Sequence, residues 1–102
     1  MSRFRRRHFA ELVRRQLDLF AEDEAELLAE ADEAERAYDA AEREEAEELY
    51  GDFQLVLDAA GEALADLRDT YAATLDDDAG DAYRSAFDRA AAKRFPRLRG
   101  SL

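Results

Sequence analysis

Within residues 46–75 the apolar side chains fall at Ala46, Leu49, Tyr50, Phe53, Leu57, Ala60, Leu64, Leu67, Tyr71 and Leu75. Steps of three and four dominate, which places all ten on one stripe of an α-helix, close to the heptad spacing of helices packed side by side. A half-buried strand would alternate every second residue instead. A stripe this long needs partner stripes to cover it, and the chain supplies two. One runs through Phe9, Leu12, Val13, Leu17, Phe20, Leu27, Leu28, Ala31, Ala34 and Tyr38; the other through Ala79, Tyr83, Ala86, Phe87, Ala90 and Phe95. The last stops at Pro96, whose ring clashes with the preceding turn and which lacks the N–H a helix needs.

The boundary between the second and third stripes is marked by "LDDDAG" at 75–80, where Asp76 suits an N-cap and Asp77 and Asp78 suit the positive end of the following helix. The boundary between the first and second has no Gly or Pro to mark it. Asp39 followed by Glu42 resembles a capping box, and the segment "DAAEREEAEE" carries the poorest apolar stripe in the chain, so a turn is expected at 39–42. The competing break, at Gly51 and Asp52, leaves a first helix longer than small domains usually hold.

The expected fold is all-α: a three-helix antiparallel up-down-up bundle of two long helices and a shorter third, forming one domain over residues 1–102, with a basic N-terminal arm at 1–8 and a basic C-terminal tail at 96–102. Long helices of roughly 32 residues reach about 48 Å and a third of roughly 18 residues about 27 Å. The short helix then covers half of the long hairpin and leaves a thin two-helix tip. Phe20, Phe53, Leu57, Leu64, Tyr83 and Phe87 should share one core.

Charge is distributed against this frame unevenly. Residues 1–15 carry six Arg and one acid, residues 84–102 six cations and one acid, and residues 16–83 three Arg against 24 acids, for a formal net charge of -11. Lys93, Arg94, Arg97 and Arg99 are expected near the acidic run at 21–26, and Glu24, in the gap between Phe20 and Leu27, is expected to pair with them. Arg5, Arg6 and Arg7 sit where a helix dipole disfavours cations, so they are the better candidates for an external role.

Catalytic chemistry finds little support. There is no Cys, hence no thiolate nucleophile, disulfide or Cys-ligated metal. His8 is the only histidine, and its H-x-x-E pair with Glu11 falls short of the two E-x-x-H pairs of a di-iron bundle, so it reads as a solvated or packing residue. The three Ser lack a nucleophile elbow, and the four Gly are scattered singly rather than in a phosphate loop. Arg68 and Thr74 are expected to reach solvent by their tips, the four Tyr to pack with exposed hydroxyls, and Gly51 or Gly61 to mark a close approach.

No metal, no cofactor and no enzymatic activity are therefore expected. With no apolar leader and no long apolar run, the expectation is a cytoplasmic chain without a membrane partner. Three binding roles remain. The first is a protein-interaction module or small homo-oligomer, using Leu28, Leu49 and the seam near Tyr38 and Tyr50. The second is a nucleic-acid contact through Arg5, Arg6, Arg7, Arg97 and Arg99, opposed by the acidic body. The third is an acidic phosphate or DNA mimic acting on a basic partner. The first is preferred.

Overall fold

The computed structural model describes residues 2–102, with side chains from His8 onward. Every regular element among the described residues is helical: α1 (Ser2–Asp23), α2 (Ala25–Asp39), α3 (Ala46–Ala72), α4 (Asp77–Arg94) and a 3-10 turn (Pro96–Ser101). The all-α class follows from the sequence pattern. The count of helices does not, because the first stripe is divided at Glu24, where the backbone turns to φ -108 and ψ 26. The hydrogen-bond ladder survives the break: Glu24 N–H donates to Phe20 O at 2.9 Å, and Leu28 N–H donates to Glu24 O at 2.9 Å. The helix departs from regular geometry where its core-facing stripe carries a carboxylate.

The connection between α2 and α3 lies at residues 40–45, so the turn falls next to Asp39, and Gly51 is inside α3. The capping box at Asp39 and Glu42 does not form. Asp39 ends α2, and α3 is preceded by Glu45, which makes no side-chain cap. The start of α4 does follow the expected chemistry: the Asp76 carboxylate accepts from Ala79 N–H at 2.8 Å, Asp77 and Asp78 occupy the first turn, and Lys93 and Arg94 the last.

Side-chain pairs fix how the helices lie. Arg68 meets Asp88, and Tyr71 meets Tyr83, so α4 returns antiparallel to α3. Phe9 meets Tyr83 and Phe20 meets Phe95, so α1 runs parallel to α4. Tyr38 and Tyr50, with ring centroids 5.2 Å apart, close α2 on α3 across the connection. Val13, Leu64, Tyr83 and Phe87 have 0% exposure, and all six expected core residues lie in the one buried cluster. At roughly 1.5 to 3 kcal/mol per large apolar side chain removed from water, this cluster is the dominant favourable term.

The molecule measures 54 × 21 × 20 Å with a radius of gyration of 15.9 Å. A compact chain of this length would have a radius near 13 Å. The difference reflects the α2–α3 hairpin, which extends past the end of α4.

The C-terminal segment is the main departure from expectation. Phe95, held at φ -128 and ψ 68 ahead of Pro96, turns the chain out of α4, and the 3-10 turn then folds back across α2 and α3. Leu98 is 2% exposed within the core cluster. The basic C-terminal tail at 96–102 is a packed strap.

Candidate partner-binding surfaces

Of the residues expected to bind a partner, Arg5, Arg6 and Arg7 lie outside the described side chains. Arg97 is engaged within the chain: its guanidinium meets Asp32 Oδ1 at 2.8 Å and Glu35 Oε1 at 3.1 Å, both on α2. Arg99 is exposed. Leu28 is half-buried against the core cluster, and Leu49 is half-buried on α3. Along the seam near Tyr38 and Tyr50 the chain packs partly on itself, and Tyr50 stays 46% exposed. Tyr38 lies against the Tyr50 ring, and Gln54 Nε2 donates to the Tyr50 hydroxyl at 3.1 Å.

Of the cations expected near residues 21–26, Arg94 and Arg97 find acids, though not those of that run. Arg94 pairs with Asp18 on α1, and Arg97 with Asp32 and Glu35 beyond the break. The reason is geometric: α4 runs alongside α1 only as far as Phe20, and the strap then carries Arg97 past Glu24 to α2. Glu24 forms the break instead of the expected ion pair.

Arg68 also differs from expectation. Its side chain is only 15% exposed and bridges Asp69 at 2.8 Å and Asp88 at 2.8 Å, tying α3 to α4. The Arg68 hydrogen bond holds the Asp69 carboxyl below the usual carboxylate range, with Arg84 adding to the effect. Thr74 turns its hydroxyl to Tyr71 O at 2.7 Å. His8 is exposed, its ring edge toward Phe9, while Glu11 is engaged by Arg15 at 3.3 Å and Arg14 at 3.7 Å. No cluster of potential metal ligands occurs among the described residues, and no described helix is long and apolar enough to cross a membrane.

The surface that sequence reasoning missed lies between α1 and α4. Two adjoining depressions of about 270 and 330 Å³ share Ala10, Ala90 and Lys93. Val13, Leu17 and Ala86 complete an apolar floor, and Arg14, Arg89, Lys93 and Arg94 form the rim. Small floor residues on both helices leave the groove open, because an alanine methyl fills little of the space between two helix backbones.

This basic rim belongs to the cationic part of an otherwise acidic chain. Residues 1–23 and 77–102 together hold twelve Arg or Lys against eight acids, whereas residues 24–76 hold three Arg against eighteen acids. The fold gathers most of the first set along α1 and α4 and the second along α2 and α3, with Arg97 of the strap crossing to the acids of α2.

Comparison with known proteins finds no matching family model, no matching curated protein and no matching solved structure.

Proposed function

We propose that this protein is a non-enzymatic interaction module whose α1–α4 groove docks an acidic amphipathic helix of a partner protein. The observation that supports this reading is the groove itself: an apolar floor bordered by Arg14, Arg89, Lys93 and Arg94 on a chain of net charge -11. Helix-in-groove recognition uses one apolar stripe against such a floor. Acidic residues flanking the stripe meet Arg89 and Lys93, while Arg94 and Arg14 also engage Asp18 and Glu11; such pairing steers encounter and fixes register more than it adds raw affinity. The alanines at positions 10, 86 and 90 admit small or medium apolar side chains.

In this reading α1 and α2 form one arm bent at Glu24, and with α3 and α4 they make an antiparallel up-down-up arrangement of three layers. A nucleic acid would be drawn to the same cations, but the acidic α2–α3 pair, within the same narrow molecule, repels a long polyanion.

The test is titration of a labelled synthetic helix, with Leu and Ala on one face and Glu on both flanks, into the full chain at low salt. Saturable binding should weaken about tenfold in an Arg89→Glu, Lys93→Glu variant, equivalent to about 1.4 kcal/mol. It should also weaken as salt screens the rim. Tighter binding of duplex DNA than of the acidic helix, or unchanged affinity in the charge-reversed variant, overturns the reading.

A further inference from the structure

The strap formed by residues 95–102 sits in a shaped site. Three elements grip it at once. Phe95 packs edge-on against Phe20 of α1, with ring centroids 5.5 Å apart. Arg97 spans Asp32 and Glu35 of α2. Ser101 Oγ donates to Asp58 Oδ1 of α3 at 3.2 Å. Between these anchors Leu98 is buried to 2% exposure.

Gly61 shows that the site is cut to fit the strap. It lies in the middle of α3, where glycine is a poor helix former. A Cβ there would collide with Ser101 Cβ and lie 3.1 Å from Ser101 O. Gly51, on the same helix, has nothing within 4 Å. The strap is also joined to the rest of the molecule by a single departure point, Phe95, ahead of a proline that forbids continuation of α4.

We propose that the slot on α2 and α3 is a peptide-binding site for a short basic and apolar segment, Arg-Leu-x-x-Ser, filled in cis by the chain's own tail and open to the same tail of a second copy. The contacts are chemically identical in either arrangement, which is the condition for segment exchange. Three recognition elements define the ligand class: an Arg for the Asp32 and Glu35 carboxylates, a Leu for the core, and a small hydroxylated residue against Gly61 and Asp58. The cis tail holds the advantage because its tether keeps it at a high effective concentration. Weakening the cis tail should therefore expose the slot to a tail in trans.

The probe is a fluorescent synthetic peptide of sequence FPRLRGSL, titrated into the full chain. Leu98→Asp weakens the cis tail and leaves every slot residue intact, so this variant should bind the peptide at least about tenfold more tightly than the unaltered chain. Adding Gly61→Ala should remove that gain, whereas adding Arg89→Glu and Lys93→Glu, in the separate α1–α4 groove, should not. Helicity by circular dichroism checks the fold. Should Leu98→Asp lose it, Ser101→Asp, which sets a carboxylate against Asp58 at the edge of the slot, is the milder variant and should bind in the same direction. Equal binding by the folded variant and the unaltered chain, or no binding by either, overturns the proposal. So does binding that Gly61→Ala leaves unchanged.

Discussion

Gln16 Oε1 on α1 accepts a 2.6 Å hydrogen bond from the Tyr83 hydroxyl on α4. The ring that carries this hydroxyl is wholly buried, with Phe9, Tyr71 and Phe87 around it. This polar contact joins the Phe9–Tyr83 and Phe20–Phe95 pairs in setting the register of the two helices that border the groove. Burial pushes the Tyr83 phenol up to about 12, partly offset by the Gln16 hydrogen bond.

The sign of the resulting pH dependence follows from that shift. In the unfolded chain the phenol ionises near 10, and in the fold near 12, so its contribution is complete below pH 10 and is lost as pH rises from 10 to 12. The loss should amount to roughly 2 to 3 kcal/mol across that window. Tyr83→Phe should cost about 1 kcal/mol at neutral pH and abolish this part of the alkaline decline. Urea denaturation at pH 7, 10 and 11.5 measures both effects.

Core and surface should separate cleanly under substitution. Phe87 has 0% exposure, and Phe87→Ala should cost about 3 to 5 kcal/mol. Leu55 is 70% exposed, and Leu55→Ala should change stability by no more than about 0.5 kcal/mol. Thermal melts of the two variants are sufficient.

At acid pH the Arg68 bridge is the informative site. Because Arg68 holds Asp69 below its ordinary range, the contribution of the pair is present at neutral pH and is lost as pH falls through the depressed Asp69 value. Arg68→Gln should cost on the order of 1 kcal/mol at pH 7 and less as pH falls through the depressed Asp69 value. A cost that stays constant through the whole acid titration of Asp69 would assign Arg68 a packing role alone.

The two glycines of α3 should respond with opposite signs. Gly51→Ala meets nothing within 4 Å and should stabilise by up to about 1 kcal/mol through helix propensity. Gly61→Ala collides with Ser101 and should cost about 1 to 3 kcal/mol. Hydrogen exchange should locate that cost in residues 97–101, as loss of protection in the strap.

What the sequence disclosed, and what it withheld, divides along physical lines. The long stripe from Ala46 defines α3, Pro96 ends α4 and Asp76 caps it, because each is set by neighbours a few residues away. The break at Glu24 carries no Gly or Pro, and every residue around it is compatible with a helix. Arg97 and Ser101 carry no periodicity of their own, and their partners Asp32, Glu35 and Asp58 lie 43 or more residues away, so the strap is a product of tertiary packing. The α1–α4 groove was hidden for a related reason. Ala86 and Ala90 fit a core stripe equally well, and only the crossing of α1 on α4 leaves them, with Ala10, at a solvent-open seam. The spacing of Ala10 and Arg14, one helical row beside Phe9, Val13 and Leu17 of the core, was the available signal.

The account's central claim is that the basic-rimmed groove, and no other face, receives an acidic helix. Amide chemical-shift mapping of the isotopically labelled chain during titration with the synthetic acidic helix tests it most directly. The predicted result is a contiguous set of shifted signals at Ala10, Arg14, Ala86, Arg89, Ala90 and Lys93, saturating together, with residues 30–52 unmoved. Shifts centred on α2 and α3, or spread evenly over the molecule, would contradict it.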